Sequence, residues 1–233
     1  LFEMLMKSNF SSVVALDKQF RMHPSICELS SSLFYNNLLQ PSEIVLAELN
    51  NKLHLPCWPT AKISVKNSVW LRELLHPESH PVMFVDNYVI ADHEICHGIS
   101  KNSCVNLMEV SAICDIVDAL VSGGLPQHEV GILCAYTDQV EYVQLMLSHK
   151  YSQIEVHTID RFQGRDKICI ILSLVVNKTI SEFSLLSDRK RLNVALTRAR
   201  KKLIILGNYK VLNENQNFKN LFSILIKYNA IIK

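Results

Sequence analysis

The sequence predicts a doubly wound α/β fold on a parallel sheet, and two observations carry that expectation. Apolar runs of strand length alternate with amphipathic helical patterns along most of the 233 residues. Several of those runs are continuously apolar, as strands buried on both faces of a parallel sheet must be. A chain of this length with 48% hydrophobic residues can bury a sizeable core. Six Gly and seven Pro exclude a collagen-like or low-complexity chain.

Taken in order, strands are expected at Val13–Leu16, Val82–Val85, Val130–Cys134, Ile154–Thr158, Ile168–Val175 and Lys202–Leu206. Asn106–Ser122 reads as a helix with Val110, Ile113, Val117 and Leu120 on one face, stopped by Gly123-Gly124. Thr137–His149 repeats the pattern, with Thr137 as its N-cap. Ser187–Arg200 and Asn217–Tyr228 are two more helices. Residues 41–80 break the rhythm with Pro41, Pro56, Pro59 and Pro77, and Pro81 follows at once. That stretch reads as an irregular insertion or connecting segment.

A net charge of +2 gives no global basic field, so any hold on nucleic acid must come from a local patch. Seven cysteines, an odd count without a CxxC, read as reduced thiols of a cytosolic or nuclear protein. No apolar run approaches the ~18 residues of a membrane span, so no membrane partner is expected. His93, Cys96, His97 and Cys104 lie close together, but their spacing fits no tetrahedral zinc site, and no metal ligand set is expected. The chain starts without Met and without a leader pattern, which reads as a piece of something longer.

Three strings carry chemistry. The first is Gln19-Phe20-Arg21-Met22-His23-Pro24. The second runs from Val156 through His157-Thr158-Ile159-Asp160-Arg161-Phe162-Gln163-Gly164-Arg165-Asp166. The third is Asp188-Arg189-Lys190-Arg191-Leu192-Asn193-Val194-Ala195-Leu196-Thr197-Arg198-Ala199-Arg200. Each is expected to set polar groups at the carboxyl end of a strand or on the helix beside it, where open α/β sheets bind ligands. Gly164 lets backbone approach a ligand, and Gln163 and Arg165 beside it can reach phosphate. Arg191 and Arg198, seven apart, are expected to share one helix face beside the small Ala195. Guanidinium groups on a rigid face suit phosphoryl transfer, where positioning and charge neutralisation dominate.

Together the strings resemble the second motor domain of superfamily 1 helicases, in the branch of the nonsense-mediated-decay helicase and senataxin. Val130–Gln139 is similar to that branch's V-G-I-I-T/S-P-Y-x-x-Q, and Asn106 and Glu109 to its S-x-x-N-x-x-E. Within the branch the strings look closest to members that carry a GRF-type zinc finger and act in DNA repair. Ala135, Cys134, Val176 and Lys190 depart from the pattern.

The resemblance implies a RecA-like sheet of the P-loop NTPase type, with residues 17–233 as the C-terminal motor domain. Residues 1–16 are then the tail of the connection from a first motor domain. It implies ATP and Mg²⁺ as cofactors, with single-stranded DNA or RNA and the first RecA-like domain as partners. Arg21 and Arg198 take the catalytic role. Gln19, Gly164, Asp166 and Arg191 meet the nucleotide, and Thr158, Cys134 and Tyr136 meet the nucleic acid. Asp160 orients its loop, and His23 is structural. No G-x-x-x-x-G-K-[ST] string occurs, so the phosphate loop and metal ligands are expected in the first domain, and this chain alone is expected to be inactive. A 5′-to-3′ motor of the nucleus is implied, with the cytoplasm as the alternative. The rival is a helicase-derived binding module without hydrolysis; retention of both arginines and Gly164 favours the motor.

Overall fold

The continuously apolar segments pair side by side, all parallel. A computed structural model describes residues 14, 16–48, 52–57, 69–90, 105–175 and 188–233. A short pair, β1 (Lys18–Gln19) and β2 (Gln40–Pro41), stands apart from the main sheet. The main sheet holds β3 (Val82–Asp86), β4 (Val130–Cys134), β5 (Glu155–Thr158), β6 (Lys167–Ser173), β7 (Ala199–Gly207) and β8 (Ile231–Ile232). Its order is β5-β4-β6-β7-β3-β8. Every residue of β4 is buried, as its unbroken apolar run requires.

Helices α1 (Pro24–Phe34), α2 (Glu43–Glu48), α3 (Val69–Leu74), α4 (Asn87–Ile90), α5 (Leu107–Ser122) and α6 (Thr137–Leu147) fall in the first two thirds of the chain. Helices α7 (Arg189–Leu196), α8 (Tyr209–Leu212) and α9 (Gln216–Lys227) complete the set. Two packed groups form: α5 touches α4 and α6, while α1 touches α7 and α9. The crossovers through α5 and α6 move toward β5, whereas those through α7 and α9 move toward β8. Right-handed crossovers in opposite directions put the two groups on opposite faces, so the sheet is doubly wound. Phe84 of β3 lies beneath α9, its ring edge-on to Phe222 at 4.9 Å.

Some expectations need correction. Val14 and Leu16 carry no strand and are exposed, and the local pairing falls on the polar Lys18–Gln19 instead; Val13 and Ala15 lie outside the described residues. The expected helix over 187–200 stops at Leu196, and 199–207 is strand β7. Tyr136, not Thr137, is the N-cap of α6, with no side-chain cap bond. Within 41–80, Glu43–Glu48 and Val69–Leu74 are short helices; residues 49–51 and 58–68 lie outside the described residues. The same is true of His93, Cys96, His97 and Cys104. Among the described residues no helix is long and apolar enough to cross a membrane.

One buried polar network ties the carboxyl ends of β3 and β6 to α5 and α6. Asn106 caps α5, its Oδ1 accepting from the amides of Met108 and Glu109. Glu109, with no exposed surface, accepts from Asn87 Nδ2 at 2.9 Å, Asn106 Nδ2 at 3.2 Å, Ser173 Oγ at 2.6 Å and the Val175 amide at 3.1 Å. Gln139 of α6 donates to Ser173 Oγ and accepts from the Asn106 amide. Val175 sits at φ +54°, a costly conformation for a β-branched residue, and Glu109 holds its amide there. The edge strand β5 is fastened from the side: Gln144 of α6 donates to the Val156 carbonyl at 3.0 Å.

Burial pushes the Glu109 carboxyl up to about 7, against the opposing bonds from Ser173, Asn87 and Val175. Its folded pKa thus lies above its ordinary value of 4.5, so between those values the folded chain binds more protons than the unfolded one. Stability from this group is full below that window and falls as pH rises through it, by on the order of 3 kcal/mol. Urea unfolding at pH 5 and pH 8 is expected to show this loss in the parent chain and not in Glu109→Gln. Equal pH slopes for the two would refute it.

Candidate functional site

Parallel register decides where the three strings meet. β6 and β7 pair with Lys167 opposite Ala199, so Asp166 and Arg198 are neighbours at the amino edge of the sheet. The turn carrying Arg21 joins them there, because the His23 amide donates to the Arg200 carbonyl at 2.7 Å. The arginines therefore gather at the amino edge, not the carboxyl edge that sheet rules suggest. The second string crosses the sheet, leaving the carboxyl edge at Thr158 and re-entering at Lys167. With seven residues in β6, the two edges are about 20 Å apart.

Gln19 builds the turn that aims Arg21. Its Oε1 accepts from the amides of Arg21 and Met22, and its Nε2 donates to the Met22 carbonyl. His23 is buried, and its Nδ1 accepts from the Ser25 amide at the start of α1, in keeping with a structural role. Phe20, which the sequence reading left aside, is 67% exposed beside Arg21 and offers a flat apolar face at this edge.

Arg198 lies beyond the end of α7, so it does not share a helix face with Arg191. Thr197 ends the helix by returning its hydroxyl to the Asn193 carbonyl at 2.8 Å. Only 8% of Arg198 is exposed, and its guanidinium donates to the carbonyls of Val194 and Arg165 and to Thr197 Oγ1. These acceptors are all neutral. Among the described residues no carboxylate forms an ion pair with Arg198. Burial, then the nearby charge of Arg21, push its pKa down, and Asp166 partly offsets them; the group stays charged.

Asp166 stands between two cations, with Arg21 Nε at 3.9 Å and Arg200 Nε at 3.3 Å. Arg200 reaches on to Glu129 at 2.6 Å. Burial raises the Glu129 carboxyl, but the Arg200 guanidinium outweighs it and leaves the group below its ordinary value. Neither Arg200 nor Glu129 is given a role by the sequence reading: Arg200 ends the third string, Glu129 stands just before the Val130–Gln139 string, and register brings the two together. Gly164 has φ +87° with open space where a side chain would begin, so its backbone face is accessible. Arg165 does not face that space, because Glu155 holds its Nη1 at 2.5 Å.

Arg191 is turned instead to Asp160, donating to both carboxylate oxygens. The pair pins α7 to the loop after Thr158. At the carboxyl edge, Thr158 ends β5 opposite Cys134 and is half-buried, as is Tyr136 at the start of α6. Cys134 itself is wholly buried in the core, which removes its side chain from any strand contact. Burial also holds its thiol protonated, well above the usual range.

The chain is similar to several known proteins. The family described as AAA domain matches residues 1–210. A DNA replication ATP-dependent helicase/nuclease of Arabidopsis thaliana is 34% identical over 216 residues, 91% of this chain and 15% of its own length. A regulator of nonsense transcripts 1 homolog of Neurospora crassa is 32% identical over 95% of this chain and 19% of its own length. An uncharacterized ATP-dependent helicase of Methanocaldococcus jannaschii is 32% identical over 95% of this chain and 30% of its own length. The chain thus spans under a third of each of these relatives. With a parallel sheet, the three strings in order and an AAA domain match over most of its length, the chain belongs to the superfamily 1 helicases, in the branch of the nonsense-transcript regulators and the replication helicase/nucleases.

Proposed function

We propose that this chain is the second motor half of an ATP-dependent helicase that moves 5′ to 3′ on single-stranded DNA or RNA. The observation that carries this reading is Arg198, a nearly buried guanidinium with neutral acceptors only, set beside Arg21 at one sheet edge. Two adjacent cations, one lacking a carboxylate partner among the described residues, favour a polyanion between them. The donor set fits the phosphates of ATP. Bound ATP with Mg²⁺ supplies the phosphoryl group, and a first motor domain is the source of the phosphate loop and metal ligands.

In this reading Arg21 and Arg198 hold the terminal phosphate and neutralise charge as the bond to it breaks. Asp166, Gln19 and the open backbone at Gly164 shape the rest of the nucleotide edge. Thr158 and Tyr136 hold the strand through its phosphates at the opposite edge, largely without sequence preference. Names of the replication helicase/nuclease relatives favour work on DNA, and in this reading the whole protein acts in the nucleus.

Replacing Arg198 with Ala in the full-length polypeptide should cut ATP turnover by about 10³–10⁵, and Arg21→Ala comparably. Strand binding without nucleotide should change little in either. Thr158→Ala should weaken oligonucleotide binding and the stimulation of ATPase by nucleic acid while basal hydrolysis survives. Paired ATPase and oligonucleotide titrations check this; loss of strand binding with normal turnover in Arg198→Ala would reverse the two edges.

The isolated 233-residue chain is expected to release no phosphate from ATP, with or without an oligonucleotide. Turnover that disappears in Arg198→Ala would place a complete site within these residues.

A further inference from the structure

We propose that Arg200 is a positioning residue: it holds Asp166 away from Arg21 and so keeps the Arg21 guanidinium free to meet phosphate. The proposal deepens the reading of Arg21 as a nucleotide-facing group and rests on it.

The geometry is one carboxylate between two guanidinium groups. Arg200 Nε lies 3.3 Å from Asp166 Oδ2, while Arg21 Nε stands off at 3.9 Å from Oδ1. The closer contact belongs to Arg200. It lies off the hydrogen-bond direction, so among the described residues this buried N–H has no hydrogen-bond acceptor and the pair has room to tighten. A second tie sets the position of Arg200: its Nη2 donates to Glu129 Oε2 at 2.6 Å, and the same oxygen accepts from the Ile168 amide. Arg200 is therefore shared between Glu129, which pulls it toward β4, and Asp166. Its own carbonyl accepts from His23, in the turn that carries Arg21. One residue thus sets the distances between the Arg21 turn, the Asp166 loop and the start of β4.

Charge balance follows from these contacts. With Arg200 present, the charge of Asp166 is divided and its grip on Arg21 is loose. Without Arg200, Asp166 has Arg21 as its close cation, and the half-exposed pair can close into a two-bonded fork. Arg21 must then break that fork before it reaches a phosphate. Loosening Glu129 acts in the opposite sense, because Arg200 is then free to give both Nε and Nη2 to Asp166. A bracing role alone predicts loss from either change.

The test is a mutant cycle in the full-length polypeptide, read as kcat at saturating ATP with thermal midpoints recorded alongside. Arg200→Gln should lower kcat by about tenfold, a coupling usual for residues in one ionic network. Glu129→Gln should leave kcat at or above that of the parent. In an Asp166→Asn background, whatever its own KM, Arg200→Gln should lower kcat no further, since no carboxylate remains to capture Arg21. If Arg200→Gln does not fold, Arg200→Lys replaces it, and its smaller loss should vanish in the same background. An equal loss from Arg200→Gln with and without Asp166, or a loss from Glu129→Gln as large as from Arg200→Gln, overturns the proposal. Arg198→Ala serves as the control: if it retains turnover, the reading of this edge as the nucleotide site fails, whatever the cycle gives.

Discussion

The backbone hydrogen bond from the His23 amide to the Arg200 carbonyl joins the first string to the third. On one side it fixes the start of α1, whose cap is His23, and so the turn that aims Arg21. On the other it depends on β7 holding its register against β6 and β3. Two residues farther along, Lys202 guards that register. It is almost wholly buried, and it donates to Ser79 Oγ at 2.6 Å and the His80 carbonyl at 2.8 Å. Burial lowers its pKa to about 7, and only in this register does the ammonium find those oxygens. A slip by one residue would turn Arg200 and Lys202 to the opposite face and strand both.

The two edges of the sheet are joined by more than the strands between them. Thr158 leads through the short helical turn 160–162, where Asp160 grips Arg191 of α7. The C-cap of α7 is Thr197, which in turn accepts from Arg198. Covalent and ionic links thus run without a gap from the carboxyl edge to the amino edge. Arg191, read from the sequence as a nucleotide contact, holds a middle place in this chain of contacts.

Legibility in the sequence followed contact range. Val130–Cys134 could be read residue for residue, because an unbroken apolar run needs burial on both faces and no partner to declare it. The segment 187–200 was read as helix to its end because Ala, Leu, Arg and Lys all favour helix and no Gly or Pro interrupts them. Thr197 and the long-range pairing of Ala199 with Lys167 override that preference. Val14 and Leu16 failed for the converse reason, since apolar residues make a strand only where a partner covers them. The motif strings single out Arg21, Asp166 and Arg198 but do not say that these three meet at the amino edge of the sheet. Glu129 and Arg200 stand at the ends of strings but meet only through register, and the motif position of Cys134 says nothing about its burial.

The margin of the sheet at β5 has a different significance. An outermost strand with unpaired backbone groups is a template for any other extended chain, and folded proteins must defend it. Here the strand is four residues long, and a glutamine amide occupies the Val156 carbonyl. Glu155 on the same strand is ringed by Arg165 and Lys167, so an incoming strand would have to displace fixed charges as well. A protein so rich in buried aliphatic strands carries a standing hazard of association, and this corner limits it by shortness, an amide plug and charge.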